Sequence, residues 1–198
     1  IDKNVKGIIY AGYPGVKGGV AVVDVLFGDY NPGGKITLTF PRSVGQIPLN
    51  FPTKPNAQTD AGENAKAKGL LYPFGHGLSY TKFQYTNLKI ENSIIGNSDG
   101  VRLSFEIQNT GTVKGDEVVQ LYIRDEVSSV TTYEKNLRGF ERVSLAPNES
   151  KTINFTVQPD DLALWNLEMK RVVEPGKFLV MVGASSSNVK LKGSFVVK

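Results

Sequence analysis

Residues 101–111 read VRLSFEIQNTG, with apolar residues alternating with polar ones over 101–108 and an Asn-Thr-Gly turn after them. Strict alternation over about four to eight residues is typical of a half-buried β-strand, because successive side chains point to opposite faces. Similar runs recur from Phe83 onward, separated by turn residues. The predicted strands are 83–91, 101–108, 117–124, 137–144, 150–157, 177–184 and 189–197.

About seven short strands with turns between them predict an antiparallel β-sandwich of the immunoglobulin-like or fibronectin type III kind. The sequence contains no cysteine, so it cannot form the immunoglobulin disulfide, and the fibronectin-like variant is favoured. Trp165 is the only tryptophan. It is expected to pack in the core or against another domain rather than to stack on a sugar.

The first part of the chain has a different pattern. Residues 7–11 and 35–40 are rich in apolar and β-branched residues and predict two strands. Between them, Val20, Val23 and Phe27 recur at helical spacing, and Gly28 predicts the end of that helix. A strand, a helix and a second strand predict a βα unit of a parallel sheet. The polar, proline-interrupted stretch 41–69 predicts a long surface loop.

Length and composition exclude several classes of protein. The 198 residues suit one large or two small domains, and a complete (β/α)8 barrel needs about 250 residues. The net charge of +4 comes without a basic cluster, so neither nucleic acid nor an anionic membrane is an expected partner. No apolar run is long enough to predict a membrane span. The lack of cysteine is compatible with export, and a periplasmic or extracellular location is favoured over the cytoplasm. Because strand 7–11 would need neighbouring strands upstream, a fragment or processed chain is expected.

The sequence does not match the usual catalytic and cofactor motifs. Gly12, Gly15, Gly18 and Gly19 do not have the G-x-G-x-x-G spacing of a dinucleotide site. His76 is the only histidine, so a metal site with several histidines is impossible. Ser79 has no nucleophile-elbow sequence around it, and the tract that contains both residues is expected to be a structural connector.

The acidic pairs Asp116-Glu117, Asp125-Glu126 and Asp160-Asp161 are the remaining candidates for paired-carboxylate chemistry. Neighbouring residues on a strand point to opposite faces, so each pair is expected to be a solvated strand end rather than a site. The residues therefore predict no catalytic, cofactor-binding or metal-binding side chain, and no cofactor.

Several ordered motifs resemble the C-terminal part of glycoside hydrolase family 3 enzymes, the β-glucosidase and β-glucan exohydrolase group. The resemblance covers nearly the whole chain and rests on Tyr13-Pro14-Gly15 with Gly18-Gly19, residues 24–35, residues 71–81, Asn109-Thr110-Gly111, residues 115–122 and residues 137–140. The tract 71–81, LYPFGHGLSYT, resembles the family's junction between an α/β sandwich domain and a fibronectin-like domain.

The resemblance implies three parts: the C-terminal remnant of an α/β sandwich at 1–69, a junction at 70–82 and the fibronectin-like sandwich at 83–198. It also implies a retaining β-glycosidase with an Asp nucleophile on a barrel domain and a Glu acid/base on the α/β sandwich. Neither residue matches a position in this chain, so the chain alone is expected to be inactive and to brace the domains that carry them. Gly12–Gly19 and Asn50–Gly69 are the stretches expected to approach the cleft.

The expected partners are the barrel and the remainder of the α/β sandwich of the same protein, with a β-linked oligosaccharide or glucoside as substrate of the intact enzyme. Two alternative functions stay open. In the first, the sandwich is an independent carbohydrate-binding or adhesive module; in the second, the first part of the chain is a small nucleotide-binding domain.

Overall fold

The computed structural model describes residues 4–55 and 69–198. Of the predicted loop Asn50–Gly69, residues 56–68 lie outside the described residues. In the N-terminal segment, residues 4–55, the elements are α1 (Gly18–Phe27), β1 (Phe40–Pro41) and a one-turn 3₁₀ helix (Val44–Gln46). β2 (Leu70–Tyr72) pairs antiparallel with β1.

The predicted helix is confirmed, and it ends at Gly28 as expected. Gly28 takes a left-handed conformation with φ 88° and donates its N–H to the carbonyl of Val25. Glycine adopts this conformation without the steric penalty of a Cβ, which explains the stop. The apolar stripe of α1 is exposed, however: Val20, Val23 and Phe27 are 60%, 47% and 80% accessible.

The two strands predicted beside this helix are wrong. Residues 7–11 form no strand, and Ile8 and Ile9 are about half exposed. Of 35–40, only Phe40 is in a strand, and Ile36 instead exchanges two backbone hydrogen bonds with Gly75 and His76. A strand needs a neighbour for its N–H and C=O groups. Residues 4–55 contain no parallel strand pair that would supply one.

The seven strands predicted after Phe83 are confirmed within two residues at each end. Together with one short additional strand they are β3 (Phe83–Ile90), β4 (Ile94–Ile95), β5 (Val101–Asn109), β6 (Gly115–Asp125), β7 (Asn136–Leu145), β8 (Ser150–Val157), β11 (Gly176–Gly183) and β12 (Val189–Val197). These eight strands belong to two sheets, ordered β4-β12-β11-β6-β7 and β3-β5-β8. The short β4 was not predicted, and it adds to β12 in parallel.

One short segment lies outside the two sheets. After β8, helix α2 (Pro159–Leu162) leads into a hairpin of β9 (Leu164–Trp165) and β10 (Arg171–Val172). Helix α2 is a single turn, and Asp161 caps it by accepting the N–H of Gln158 at 2.9 Å.

The core lies between the two sheets. Alternate residues of β5 (Leu103, Phe105) and of β6 (Leu121) point inward and are no more than 1% exposed. The rings of Phe178 and Phe195 stack at 5.5 Å in the same cluster. Each such side chain contributes about 1.5–3 kcal/mol through burial, so these alternating positions carry most of the stability of the sandwich.

Candidate functional site

Residues from four of the sequence motifs, 24–35, 71–81, 109–111 and 115–122, meet at the junction, residues 70–82, between the N-terminal segment and the sandwich. Asn31 is its first anchor. Its Nδ2 donates to the carbonyl of Lys114 at 3.0 Å, and its Oδ1 accepts from Ser79 Oγ at 2.9 Å and from the N–H of Tyr80 at 2.8 Å. One side chain thus joins three stretches of chain that are far apart in sequence.

The second anchor is an ion pair that the sequence did not reveal. Lys35 Nζ lies 2.8 Å from Glu117 Oε1, and the two side chains are only 10% and 6% exposed. Burial raises the pKa of Glu117, and the attraction of Lys35 opposes that shift without reversing it. The expectation that Glu117 is a solvated strand end is therefore wrong. Alternation along β6 points it toward the core, and its cation comes from the N-terminal segment.

The neighbouring carboxylate points to the opposite face and makes a more exposed contact. Arg142 donates to Asp116 Oδ2 from Nε at 2.9 Å and donates from Nη2 to the hydroxyl of Tyr30 at 2.8 Å. Burial alone would raise the pKa of Asp116, but hydrogen bonds from Ser144 and Arg142 hold it below its ordinary value. Asp116 and Glu117 therefore serve two separate contacts between the same two parts of the chain.

The third anchor is Gln120 on the outer face of β6. Its Nε2 donates to the carbonyls of Gly75 at 3.2 Å and Ala184 at 2.9 Å, while Tyr122 donates its hydroxyl to Gln120 Oε1. Gly75 has φ 78°, and a Cβ there would lie 2.1 Å from Gln120 Oε1. Only glycine fits at this position without displacing the amide.

The fourth anchor closes the end of the sandwich. Asn109 is fully buried, and its Nδ2 donates to the carbonyls of Val113 at 2.8 Å and Leu145 at 3.0 Å. Its Oδ1 accepts from Thr81 Oγ1 at 2.6 Å and from the N–H of Gly111 at 3.0 Å. The last residues of the junction are thereby fixed to the turn that follows β5.

The geometry around His76 is that of a connector. Its ring stacks on Tyr72 at 5.2 Å between centroids, and burial, followed by the nearby Lys35 charge, lowers its pKa. Ser79 donates its hydroxyl to Asn31, so it is not paired with the histidine. The junction therefore holds no serine–histidine couple.

The other two acidic pairs also divide between separate roles. Glu126 pairs with Lys177 at 3.2 Å on the surface, whereas Asp125 points inward at the end of β6. Asp160 pairs with Arg171 at 2.8 Å, and Asp161 caps α2. The structure places none of the three pairs around a common ligand position.

Trp165 lies on the protruding β9–β10 hairpin and is 59% exposed, so the expectation that it is a core residue of this chain is wrong. A role in packing against another domain stays a prediction.

A cavity lies between residues 37–41 and 47–51 of the N-terminal segment and the ring of Phe74. Its volume is about 290 Å³ and no titratable side chain lines it. Within residues 4–55 and 69–198, no group of three or more histidine or acidic side chains could hold a metal ion. The same residues contain no helix long and apolar enough to cross a membrane.

Comparison with known proteins identifies the two domains that this chain resembles. Residues 1–80 match the glycosyl hydrolase family 3 C-terminal domain, and residues 117–186 match a fibronectin type III-like domain. The chain belongs to glycoside hydrolase family 3. Its fibronectin type III-like match falls on the two-sheet sandwich, as the strand pattern predicted.

Relatives of this family 3 chain include a β-xylosidase of Formosa agariphila, 45% identical over 97% of the chain and 27% of the relative. A periplasmic β-glucosidase of Salmonella typhimurium is 42% identical over 98% of the chain and 26% of the relative. The solved β-glucosidase of Erythrobacter marinus has a TM-score of 0.88 and 40% identity over 95% of the chain and 25% of its own length. The chain thus spans about a quarter of the length of these relatives.

Proposed function

We propose that this family 3 chain is the C-terminal structural portion of a larger retaining β-glycosidase that hydrolyses O-glycosyl bonds in β-glucosides. The names of its relatives, β-glucosidase and β-xylosidase, support this activity for the whole protein. The proposed substrate is a β-linked oligosaccharide or glucoside. A periplasmic or extracellular location agrees with the name of the Salmonella relative.

The proposed parts are 1–69, the C-terminal portion of an α/β sandwich domain, then the junction 70–82 and the sandwich 83–198. The observation that carries the proposal is the position of α1. Contacts from Tyr30, Asn31 and Lys35 hold the residues after α1 on the sandwich, while the apolar stripe of α1 stays exposed. An exposed apolar stripe on a firmly held helix is suited to packing against another layer.

In this proposal the catalytic carboxylates belong to the rest of the enzyme: an Asp nucleophile on a barrel and a Glu acid/base on the remainder of the α/β sandwich. Retaining hydrolysis needs both carboxyls about 5 Å apart, so a chain with neither has no turnover of its own. The chain contributes no catalytic, cofactor-binding or metal-binding residue. Its glycine turn Gly12–Gly19 and the loop Asn50–Gly69 are the stretches proposed to approach the cleft.

The test compares the chain alone with the whole enzyme on aryl β-glucosides and β-xylosides. The whole enzyme should hydrolyse at least one of them, and the purified chain should show no turnover above buffer. Saturable hydrolysis by the chain alone would refute the proposal that the catalytic residues lie in the rest of the enzyme.

A second comparison tests the role of α1. Val23→Asp places a charge on the exposed stripe of α1, where Val23 is 47% exposed, and Val127→Asp places one at a valine beyond β6 that is 78% exposed. In the whole enzyme, the first variant should lower stability and kcat together, because burying an unpaired charge is costly. The second should leave both unchanged. Equal behaviour of the two variants would contradict packing on α1.

The exposure of Trp165 keeps one alternative function open, an independent carbohydrate-binding module. Aromatic faces are suited to stacking on sugar rings. Calorimetric titration of the chain with β-glucan and xylan oligosaccharides tests it, with Trp165→Ala as the matched variant. Binding that the variant loses would favour the module over the structural role.

A further inference from the structure

A small polar cavity lies at the end of the sandwich opposite the junction. Its volume is about 40 Å³, and it lies between the end of β6, the start of β7 and the α2–β9 connection. Asp125, Thr132, Asn136, Arg138 and Asp161 supply its polar lining. A cavity needs about 10–15 Å³ to hold a water molecule, so this one has room for a small polar guest.

Strand geometry directs the two central side chains into this cavity. Asp125 follows Leu121 and Ile123 on the inward face of β6. Arg138 occupies a β-bulge, because Leu121 pairs with Gly139 while Tyr122 pairs with Leu137. A bulge leaves one residue outside the ladder and re-aims its side chain. The guanidinium is thereby brought to the cavity that the carboxylate lines.

The two groups need hydrogen-bond partners of opposite kinds. Asp125 Oδ2 is buried, and no donor within the described residues reaches it. Within the described residues, the guanidinium of Arg138 makes no salt bridge or hydrogen bond, either to Asp125 or to another acceptor. Arg138 is exposed as a residue, although partial burial lowers the pKa of its guanidinium and the charge of Asp161 opposes that shift. The buried atom without a partner is Asp125 Oδ2, and buried polar atoms are rarely left without partners in native proteins.

The charges around the cavity select its occupant. A cation would lie against Arg138, and an anion would lie against Asp125 and Asp161. A sugar ring is too large for 40 Å³. A neutral molecule that both donates and accepts satisfies both groups at once. We propose that an ordered water molecule occupies this cavity and bridges Asp125 Oδ2 to the guanidinium of Arg138.

This hydration site would support the loop between β6 and β7, which contains Thr132 from the cavity lining. The same loop contacts the N-terminal segment. Glu134 donates its N–H to the carbonyl of Thr53 at 2.9 Å, and Lys54 Nζ lies 5.9 Å from the centre of the Tyr133 ring. The water therefore supports a further attachment of the N-terminal segment to the sandwich.

A crystal structure of the full chain tests the site directly and needs no variant. We expect density for a water within about 2.7–3.2 Å of both Asp125 Oδ2 and an Arg138 nitrogen. A direct ion pair between the two side chains, a metal or halide identified by anomalous scattering, or a cavity without density would each overturn the proposal.

Hydrogen exchange tests the consequence in solution. Arg138→Met removes the donors but keeps much of the stem, and it should speed exchange at the Glu134 amide by about tenfold or more through local opening. The core amide of Val119 should keep its wild-type rate. Lys151→Met, on β8 of the three-stranded sheet, breaks an exposed ion pair with Glu141 and is the control, which should change neither amide. An unchanged rate at Glu134 in the Arg138 variant would refute the support of the loop.

Discussion

Replacing Lys35 with methionine removes the cation that faces Glu117 and leaves a buried carboxylate unpaired. At the observed 2.8 Å the Coulomb attraction is about 6 kcal/mol for an effective dielectric constant near 20. Burial still keeps the pKa of Glu117 raised, so desolvation costs more than the pair recovers. The pair should therefore add little net stability, whereas loss of one partner should cost about 3–5 kcal/mol at pH 7.

A double-mutant cycle separates these two quantities. Lys35→Met, Glu117→Met and the double variant are unfolded in guanidinium chloride, and the free energies are obtained by linear extrapolation. Each single variant should be destabilised by about 3 kcal/mol or more, while the double variant stays within about 1 kcal/mol of the parent or exceeds it. The exposed pair Lys151–Glu141, at 51% and 37%, is the matched control, and its coupling should stay below about 1 kcal/mol.

The pH dependence of stability gives an independent check, because the direction in which the Lys35→Met penalty changes with pH follows from the raised pKa of Glu117. A carboxyl whose pKa is raised on folding binds more protons in the native state, so its contribution to stability falls as pH rises through the raised pKa. The penalty of Lys35→Met should therefore shrink toward acid pH, where Glu117 takes up a proton. Penalties of the two single variants that simply add in the double variant, or a Lys35→Met penalty that grows on acidification, would contradict a buried ion pair at this position.

Three further changes test other contacts. Gly75→Ala should lower the free energy of unfolding by about 2 kcal/mol or more in thermal denaturation, because φ at this position is positive and a Cβ would meet Gln120. Gly34→Ala is the control: a Cβ there has nothing within 4 Å, so the free energy of unfolding should stay within about 0.5 kcal/mol of the parent. Asn109→Leu should cost about 3 kcal/mol in urea unfolding, since it leaves buried partners unpaired; a cost below 1 kcal/mol would contradict that role. Burial raises the pKa of Asp125 from 3.8 to about 6, so the contribution of Asp125 to stability should fall from pH 4 to pH 7 by at most about 3 kcal/mol, and by nearer 1–2 kcal/mol after allowing for partial exposure. The difference in unfolding free energy between the wild type and Asp125→Asn should show that fall, and a difference that does not change with pH would contradict it.

The sandwich could be predicted because each of its strands carries its own alternation. Residues 101–108 are the clearest case: Leu103, Phe105 and Ile107 alternate with polar residues, and all three are buried. The strands predicted at 7–11 and 35–40 failed for the opposite reason. An apolar run predicts burial, but whether it becomes a strand depends on neighbours that residues 4–55 do not supply.

The candidate site was predictable as a location but not as a set of contacts. The tract 71–81 stood out through its glycines and aromatic residues, and the structure places it between the N-terminal segment and the sandwich. Its anchors come from elsewhere: Asn31 and Lys35 lie far upstream, and Gln120 and Asn109 lie in separate strands. Polar pairing between residues so far apart in sequence leaves no local pattern, so the sequence predicts a solvated Glu117 where the structure has a buried ion pair.

The two ends of β6 show how the same strand can be used in two ways. Glu117 and Asp125 both face inward, eight residues apart, and burial raises the pKa of each. At the junction end, a lysine of the N-terminal segment neutralises the carboxylate, so that end of the core is closed only while the segment is attached. At the other end the guanidinium belongs to the sandwich itself, through the bulge at Arg138. Detaching the N-terminal segment should therefore expose a charged defect at the Glu117 end alone, because the sandwich carries its own cation at the Asp125 end. Detaching the segment therefore costs free energy in two ways: apolar packing is lost, and Glu117 is left without its cation. Such a contact is suited to holding two domains in a fixed orientation.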